Sequence, residues 1–332
     1  MMTSAQPFDD FRNLFAHMPE GDVAQAGKVW SLFAKADKPQ GSLGRIEDIA
    51  AWLARWSGRA PPSVLKPSVA IFAGNHGVAV HGVSPRAMEA TAQRVELCAA
   101  GGAAINQICV ANDLGLKVFD LALHLPTADI TVEPALDERA CAATMAFGME
   151  AIAGGTDLFC IGDLGVANTT VAAALSAALF GGRGADWVGP GSGADAAMQA
   201  RKAAVVDRAL AVHGDRLRDP FEALRRVGGR EFAAIAGAIL AARMEKIPVL
   251  LDGFATTAAA AVLYACDPRA LDHCMFSHVS TEPGHARLLA KLGARPLLGL
   301  GIDHGEAVGA GLAAGLVKTA AQISSGMAAA VR

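Results

Sequence analysis

The sequence predicts an α/β protein in which a mostly parallel sheet is flanked by helices. Short apolar segments alternate along the chain with longer segments of helical periodicity. Most of the apolar segments have interiors unbroken by polar residues, which is typical of strands that are covered on both faces. Several of them run into a loop of small and polar residues, and ligands of such sheets bind outside the carboxyl ends of the strands.

The first sixty residues predict helices. Residues 7–35 place apolar side chains at helical spacing, with breaks at Pro19 and Gly21. The turn-forming run KPQGSLG occupies residues 38–44, and another helical pattern follows it as far as Pro61. From this proline onwards the pattern changes to strands followed by helices.

Six later segments predict strands, because they are short, apolar and bounded by loop residues. The predicted strands are 68–73, 116–121, 158–162, 248–252, 274–277 and 296–300. Loops follow four of them, at residues 74–77, 162–165, 252–253 and 277–280. Since the carboxyl ends of parallel strands meet at one edge of a sheet, we expect these loops to converge on one site.

Composition restricts the class of protein. The chain has 332 residues, of which 52% are hydrophobic and 18% charged, which suits one large domain or a main domain with a smaller one. The net charge of −3 argues against a nucleic-acid partner, since no basic excess is available to neutralise phosphates. No apolar run reaches the roughly 18 residues of a membrane-spanning helix. The segment Met1–Glu20 does not have the pattern of a secretory signal.

Cysteine and histidine usage points to the same class. The six cysteines include no C-x-x-C pair, and they predict buried free thiols in a reducing cytosol. The nine histidines show no H-E-x-x-H or comparable spacing, so the sequence predicts no metal site. We therefore expect a cytoplasmic protein.

Two glycine-containing loops are candidates for binding an anion. The segment GDLGVANTT, residues 162–170, follows a predicted strand and opens an Ala-rich helix, whose first N–H groups attract negative charge. Asn168, Thr169 or Thr170 can cap this helix, and a cap alone would need no ligand. The loop GPGSG precedes a helix that carries Lys202, but as an isolated feature it predicts a surface turn. Neither loop has a Walker A or G-x-G-x-x-G pattern, which argues against a dinucleotide dehydrogenase.

Two polar residues stand beside predicted strands. His76 follows the first strand, where a lone histidine more often has a structural hydrogen bond than a ligand. Glu306 follows the last predicted strand and leads into a Gly/Ala-rich helix. It either stabilises the start of that helix or, because its neighbours are small, faces a substrate.

Nine motifs occur in the order in which one enzyme family has them. They are KPQGSLG (38–44), GNHGV (74–78), GGAAIN (101–106), NTT (168–170), GPGSG (189–193), GGRE (228–231), DG (252–253), EPGH (282–285) and GE (305–306). In this respect the chain resembles the nicotinate-nucleotide–dimethylbenzimidazole phosphoribosyltransferases from about residue 38 to about residue 318. Each motif is weak alone, but nine in order are difficult to obtain by chance.

The resemblance implies a Rossmann-like sheet, a homodimer and two domains. Residues 1–62 with 308–332 would form a small helical domain, and residues 63–307 a large catalytic domain. The implied reaction transfers phosphoribose from nicotinate mononucleotide to 5,6-dimethylbenzimidazole, with inversion at C1′. Its products are α-ribazole 5′-phosphate, a precursor in cobalamin biosynthesis, and nicotinate. The resemblance implies no metal or organic cofactor, and no partner besides the two small-molecule substrates and a second copy of the chain.

The resemblance also assigns roles to residues. Glu306 matches the family's proposed catalytic base, and Asp163 stands where the family has a glutamate that would face the ribose. The implied phosphate-binding residues are Gly165, Asn168, Thr169, Thr170, Gly191, Ser192, Gly193 and Lys202. The implied acceptor-binding residues are His76, Ser84, Met88 and Gln93. If a bound substrate removes Glu306 from water, its pKa is expected to rise, which would suit a general base.

Four positions depart from the family's motifs. Where the family has GEMGIGNTT, this chain has Asp163 for the glutamate and Ala167 for a glycine. Where the family has a glycine after the Gly-Glu pair, this chain has Ala307, followed by Val308. These departures leave two alternatives open. One is a phosphoribosyltransferase with a different aromatic acceptor, and the other is a relative that binds the nucleotide or the base without turnover.

Overall fold

A computed structural model of the protein describes residues 6–330. The outer residues of the predicted helical domain, 1–5 and 331–332, therefore lie outside the described residues, as does the start of the segment Met1–Glu20. The described part contains one sheet of five strands. The strands are β1 (Pro67–Ala73), β2 (Gly115–Asp120), β3 (Leu158–Leu164), β4 (Val249–Leu251) and β5 (Cys274–Phe276).

Helices make up most of the remaining chain. The α-helices are α1 (Asp9–Phe15), α2 (Val23–Lys35), α3 (Arg45–Ser57), α4 (Ala90–Ala99), α5 (Ala104–Asn112), α6 (Glu138–Met149), α7 (Asn168–Phe180), α8 (Ala196–His213), α9 (Pro220–Val227), α10 (Arg230–Met244), α11 (Gly253–Cys266), α12 (Pro283–Lys291) and α13 (Val308–Ala330). Short 3₁₀ helices are Gly77–His81, Glu150–Ile152, Gly184–Asp186, Gly214–Arg218 and Pro268–Leu271. No helix of the described residues is both long and apolar enough to cross a membrane.

The strand order is β2-β1-β3-β4-β5, and all neighbouring strands are parallel. This confirms the predicted α/β class with a parallel sheet. From β1 the chain passes to β2 on one side, and from β3 it passes to β4 on the other, so the direction of winding reverses between β1 and β3. In open parallel sheets the carboxyl ends of the strands at such a reversal border a crevice that binds ligands.

Five predicted strands are confirmed to within two residues at each end. The sixth, 296–300, is wrong, because only one isolated bridge joins Leu298 to His278 there. Pro296 has no N–H to donate to a ladder. Gly301 adopts a left-handed conformation with φ of 66°, which turns the chain away from β5.

Both faces of the sheet are covered by helices, which explains why β1, β3 and β4 are almost entirely apolar, whereas the edge strand β2 carries Lys117 and Asp120. The first face packs against α6, α7, α10 and α11, with Phe72 and Phe159 in this core. The second face packs against α3, α5 and α13, with Ile71 and Cys160 in that core. Alternate residues of β1 and β3 thus belong to different cores.

The helices at the two ends of the chain contribute to both hydrophobic cores. The predicted N-terminal helices are confirmed as α1, α2 and α3, with the gap between α1 and α2 at Pro19 and Gly21. α2 and α3 pack against α13 on the second face. In α1, by contrast, Phe8 belongs to the first core, where its ring stacks on that of Phe221 with centroids 5.1 Å apart.

The helices α6 and α10 cross unusually closely. A Cβ atom added to Gly148 of α6 would lie 1.9 Å from the carbonyl oxygen of Ala234 in α10. A Cβ atom added to Gly237 of α10 would lie 1.9 Å from the carbonyl oxygen of Met145 in α6. A reciprocal pair of glycines therefore lets the two backbones touch.

Candidate active site

A cleft with a cavity volume of about 260 Å³ opens at the carboxyl ends of β3, β4 and β5. Its walls come from residues within 83–94, 163–169, 190–192, 253–255, 278–282 and 303–306, and from Lys202. The cleft thus adjoins the reversal of winding between β1 and β3. Three of the four loops that were expected to converge contribute to it, but the loop at 74–77 does not.

Asp163 lies at the end of β3 and is buried, with 8% of its surface exposed. One carboxyl oxygen, Oδ1, accepts hydrogen bonds from the N–H (3.2 Å) and the hydroxyl (2.8 Å) of Thr256, and Oδ2 accepts one from the Asn168 amide (2.8 Å). Burial and the nearby charge of Glu231 raise the pKa of Asp163 to about 6, although these hydrogen bonds oppose the shift. The carboxyl group is therefore fixed in position, and its pKa of about 6 lies close to neutral pH.

The start of α7 differs from the predicted cap. The residue before the helix is Ala167, in a left-handed conformation with φ of 71°, and no side chain of the described residues caps the helix. Asn168 is already the first helical residue and bonds Asp163, while the Thr169 hydroxyl accepts a hydrogen bond from Lys202. The prediction that Asn168, Thr169 or Thr170 caps the helix is wrong, because all three lie past the capping position. The first N–H groups of α7 therefore have no capping side chain within residues 6–330.

Lys202 joins the two glycine-containing loops. It lies on α8 with 1% of its surface exposed, and its Nζ donates to the Gly189 carbonyl at 2.6 Å and to the Thr169 hydroxyl at 3.2 Å. Burial lowers the pKa of Lys202, while the carboxyl groups of Glu282 and Asp303 act in the opposite direction. The structure thus brings together Lys202, the helix start at Thr169 and the GPGSG loop.

Glu282 is a member of this group that sequence reasoning did not select. It precedes α12, is 3% exposed, and accepts a hydrogen bond from the N–H of Gly191. Its other carboxyl oxygen has no hydrogen-bond partner among the residues that the structure describes. Burial raises the pKa of Glu282, against the opposing effects of Lys202 and the Gly191 N–H. An anion that binds the GPGSG loop would have this carboxyl group as a neighbour.

Glu306 lies beside Asp163 in the cleft. Its own N–H donates to the Asp163 carbonyl oxygen at 3.1 Å, and Glu306 and Ala307 both have left-handed conformations, with φ of 64° and 60°. Such a conformation costs an L-residue about 1–2 kcal/mol, so favourable contacts in the surrounding fold must offset this cost. This backbone contact ties the two carboxylic residues of the cleft to one another.

Two cationic or titratable side chains contact the Glu306 carboxylate. Arg94, on α4, reaches Oε1 with Nε at 2.6 Å and Nη2 at 2.5 Å, and the His304 ring lies 3.3 Å from Oε2. Burial of Glu306 disfavours its charge, but the hydrogen bonds of His304 and Arg94 outweigh burial and lower its pKa. Without a substrate, the pKa of Glu306 is thus lowered, because hydrogen bonds from Arg94 and His304 replace those from water. The rise in this pKa that we expect applies to the protein with substrate bound.

The predicted acceptor-binding residues do not all reach the cleft. Ser84 lines it, whereas Met88 does not, and Gln93 is exposed to solvent outside it. On α4 it is Ala90, Thr91 and Arg94 that line the cleft, and their helical spacing places them on one side of the helix. Gln93 is exposed to solvent instead, and the spacing of Thr91 and Arg94 was the sequence signal that could have identified the polar residues of this side.

His76 is buried away from the cleft. Its side chain is fully buried, its Nε2 lies 2.5 Å from Oε1 of Glu231 on α10, and its ring packs edge-on against Phe232. The structure therefore does not place His76 against a ligand in the cleft. It supports the structural interpretation of a lone histidine.

A second buried acid lies below the cleft at the end of β4. Asp252 is fully buried; Oδ1 accepts a hydrogen bond from the Ala310 N–H at 2.8 Å, and Oδ2 has no partner in the described part of the chain. Burial, together with the charge of Asp163, raises the pKa of Asp252 to about 8. The adjacent His278 lines the cleft, and burial lowers its pKa to about 4. Sequence reasoning used this Asp252-Gly253 pair only as a motif and gave Asp252 no role.

Comparison with known proteins gives concordant matches over nearly the full length. A family model described as phosphoribosyltransferase matches residues 18–331. Nicotinate-nucleotide–dimethylbenzimidazole phosphoribosyltransferase of Brucella anthropi is 61% identical over 328 residues, which cover 99% of this chain and 97% of that protein. The Brucella canis protein of the same name is 62% identical with the same coverage. A crystal structure with this name from Thermus thermophilus matches with a TM-score of 0.85 at 36% identity, over 92% of this chain and 96% of that one.

Proposed function

The chain belongs to the phosphoribosyltransferase family of the nicotinate-nucleotide–dimethylbenzimidazole enzymes, and on this basis we propose that it transfers phosphoribose from nicotinate mononucleotide to 5,6-dimethylbenzimidazole. The products are α-ribazole 5′-phosphate, for the lower ligand of cobalamin, and nicotinate. One observation supports this most directly. Two carboxylic residues, Asp163 and Glu306, meet in one cleft through a backbone hydrogen bond of 3.1 Å.

The 5′-phosphate binds between the start of α7 and the GPGSG loop. The first N–H groups of α7 have no capping side chain among the described residues, and they carry the positive end of the helix dipole. Lys202 adds a buried positive charge between the two segments. The residues assigned to this site that line the cleft are Gly165, Asn168, Thr169, Gly191, Ser192 and Lys202. Thr170, which is fully buried, and Gly193 belong to the same two segments but do not line it. Holding the phosphate fixes C1′ relative to both carboxyl groups, and positioning of this kind lowers the barrier by several kcal/mol.

Asp163 stabilises the ribose as the bond to nicotinate breaks. The pyridinium nitrogen is already cationic in the substrate, so nicotinate leaves with the bonding electron pair and needs no general acid. The ribose then acquires oxocarbenium character, which a fixed carboxylate in a site of low dielectric stabilises. With a pKa of about 6, Asp163 is largely ionised at neutral pH.

Glu306 acts as the general base on the acceptor. One benzimidazole nitrogen attacks C1′ from the face opposite nicotinate, and its other nitrogen loses a proton. That proton passes to the Glu306 carboxylate, and from there to solvent. The acceptor ring lies in the part of the cleft near Ser84 and Thr91, both of which line it.

Product analysis tests the reaction. Purified protein incubated with nicotinate mononucleotide and 5,6-dimethylbenzimidazole should give α-ribazole 5′-phosphate and nicotinate, detected by mass spectrometry. A panel of other benzimidazoles, purines and phenols identifies any preferred acceptor. Calorimetric binding of the nucleotide without any product would instead indicate a binding protein, and product only from another base would indicate a different acceptor.

A comparison of ligands tests the phosphate site. Nicotinic acid riboside lacks the 5′-phosphate, so it should bind far more weakly than nicotinate mononucleotide. Replacing Lys202 by Met should weaken binding of nicotinate mononucleotide and leave binding of the riboside unchanged. Equal calorimetric affinities for the two ligands in the unmodified protein would contradict the assignment.

The organisation of the enzyme around this site is also part of the proposal. We propose a homodimer in the cytoplasm, with residues 1–62 and 308–332 as the small helical domain and 63–307 as the catalytic domain. The packing of α2 and α3 on α13 supports the domain division, and the six free cysteines support a reducing compartment. Light scattering of the purified protein tests the dimer.

A further inference from the structure

Arg94 is a cationic side chain of the cleft to which the proposed chemistry gives no role. Its guanidinium group donates to Oε1 of Glu306, and Nη2 also lies 3.1 Å from the His304 ring. The Arg94 side chain is 36% exposed, whereas that of Glu306 is 6% exposed. Arg94 therefore closes off the carboxylate from the open cleft while remaining accessible to a ligand itself.

The charges of the cleft leave one part of the donor without a counterion. Nicotinate mononucleotide carries two anionic groups, the 5′-phosphate and the carboxylate of the pyridine ring. Four carboxylic residues line the cleft: Asp163, Glu282, Asp303 and Glu306. Lys202 is held at the proposed phosphate site by Gly189 and Thr169. The cleft has two further arginines, Arg86, which is exposed to solvent, and Arg94, which is half-buried. The ring carboxylate needs such a cation to enter an acidic cleft, and the half-buried arginine offers the stronger interaction.

Arg94 has the geometry to be that cation. In the structure its Nε and Nη2 already bind a carboxylate oxygen, so a carboxylate has access to this face of the guanidinium group. A guanidinium group can bind a carboxylate through two parallel N–H donors. On the basis of the proposed function, we infer that Arg94 binds the carboxylate of the nicotinate ring and selects nicotinate over nicotinamide nucleotides.

This role changes the state of the general base. The groups that face Glu306 are Arg94 and Cys98 from α4 and His304 from its own loop. When Arg94 turns to the nicotinate carboxylate, Glu306 keeps its contact with His304 but loses a hydrogen-bonded positive charge, and its pKa rises. The donor thus releases the base that the acceptor needs, which favours binding of the nucleotide before proton removal.

The test compares two donors in three proteins. Nicotinate and nicotinamide mononucleotides, which differ in the charge of one ring substituent, are assayed with the unmodified protein, Arg94→Gln and Arg94→Lys. For Arg94→Gln we expect kcat/KM with the nicotinate donor to fall roughly 10- to 100-fold, as for loss of a hydrogen bond to a charged group, while the nicotinamide donor is little changed. Arg94→Lys keeps the charge without the planar fork and should fall between. Arg139→Gln, on the exposed side of α6, is the matched control.

Three results would overturn the inference. They are an equal loss for both donors in Arg94→Gln, which would mean that Arg94 acts only on Glu306; no loss; and no preference for the nicotinate donor in the unmodified protein. Calorimetry of the two nucleotides separates this inference from the proposed function, because it needs no turnover. If the protein forms no product, the proposed reaction fails, but selective weakening of nicotinate nucleotide binding by Arg94→Gln would still support the role of Arg94.

Discussion

At the scale of single residues, the site depends on side chains whose surroundings fix their charge. Glu306 is ionised and paired with Arg94, while Asp163 is buried and its pKa is raised to about 6. The two carboxyl groups are therefore prepared for different tasks by different neighbours. One awaits a proton from the acceptor, and the other stabilises positive charge on the ribose.

Replacing Glu306 by Gln should lower kcat by roughly 100-fold or more, because a positioned general base contributes about 10²- to 10⁴-fold. Calorimetric affinity for the nucleotide should remain close to that of the unmodified protein. Glu138→Gln, in the first turn of α6, is a control for the same chemical change outside the cleft. Turnover at the unmodified rate would reduce Glu306 to a carboxylate at a helix end.

Restoring the family's glutamate by Asp163→Glu should fail to improve kcat/KM. The Asp163 carboxyl group has three hydrogen bonds, to the N–H and hydroxyl of Thr256 and to the Asn168 amide, and all three depend on its present length. One added methylene shifts the carboxyl group by roughly 1 Å, which matters in a positioned site. A rise of roughly tenfold or more, equivalent to about 1.4 kcal/mol of transition-state stabilisation, would contradict this view and mark the aspartate as a weakening change.

At the scale of secondary-structure elements, α13 links the site to the second core. It begins two residues after Glu306, and its first turn lies against the buried Asp252, below the cleft, and against His278, which lines it. Small residues make this approach possible. A Cβ atom added to Gly309 would lie 2.0 Å from the His278 ring, whereas one added to Gly326 would meet no described atom within 4 Å.

Two Gly→Ala substitutions in α13 should therefore have opposite effects on the free energy of unfolding. Gly309→Ala should destabilise the protein by about 2 kcal/mol, because His278 is 1% exposed and cannot move aside. Gly326→Ala should stabilise it by up to about 1 kcal/mol, since alanine favours a helix interior. Urea unfolding measures both. If both substitutions stabilise the protein, the close packing of α13 on His278 is wrong.

The sequence was sufficient for elements with a local signal. Short, mostly apolar runs identified β1 to β5, but the prediction of a strand at 296–300 failed because an apolar composition does not supply neighbouring strands to bond with. Long-range pairs had no local signal. The His76–Glu231 contact joins residues 155 positions apart, and without it His76 could not be assigned to the interior. The roles of Arg94 and Glu282 likewise depend on contacts with residues distant in sequence, which only the fold brings together.

At the scale of the whole molecule, two buried carboxyl groups make folding depend on pH. Burial is the main reason why the pKa of Asp163 is raised to about 6 and that of Asp252 to about 8. Both carboxyl groups bind a proton more tightly in the folded than in the unfolded protein. Their effect on stability is therefore unfavourable once they ionise, and it grows as pH rises from about 4, the unfolded pKa, through the folded values.

Between about pH 5 and about pH 9, we expect the free energy of unfolding of the unmodified protein to fall relative to that of Asp252→Asn, whose side chain at this position does not ionise. This relative fall should be on the order of 4 kcal/mol, since about three pKa units separate pH 5 from the pKa of about 8 and each corresponds to about 1.4 kcal/mol. Asp113→Asn serves as control, because asparagine tolerates the left-handed conformation found there. Parallel pH profiles for Asp252→Asn and the unmodified protein would contradict the buried charge.

The close crossing of α6 and α10 has a consequence for the timescale of internal motion. Backbones that touch through Gly148 and Gly237 leave no room for one helix to slide or unwind while the other stays in place. The amide hydrogens of both helices should thus exchange with deuterium slowly and together, by opening of the entire domain. Amides of the loops at 189–193 and 301–306, which lack such a crossing, should exchange earlier. Binding of the nucleotide should slow amide exchange in these loops, at most to the rate at which the amides of α6 and α10 exchange.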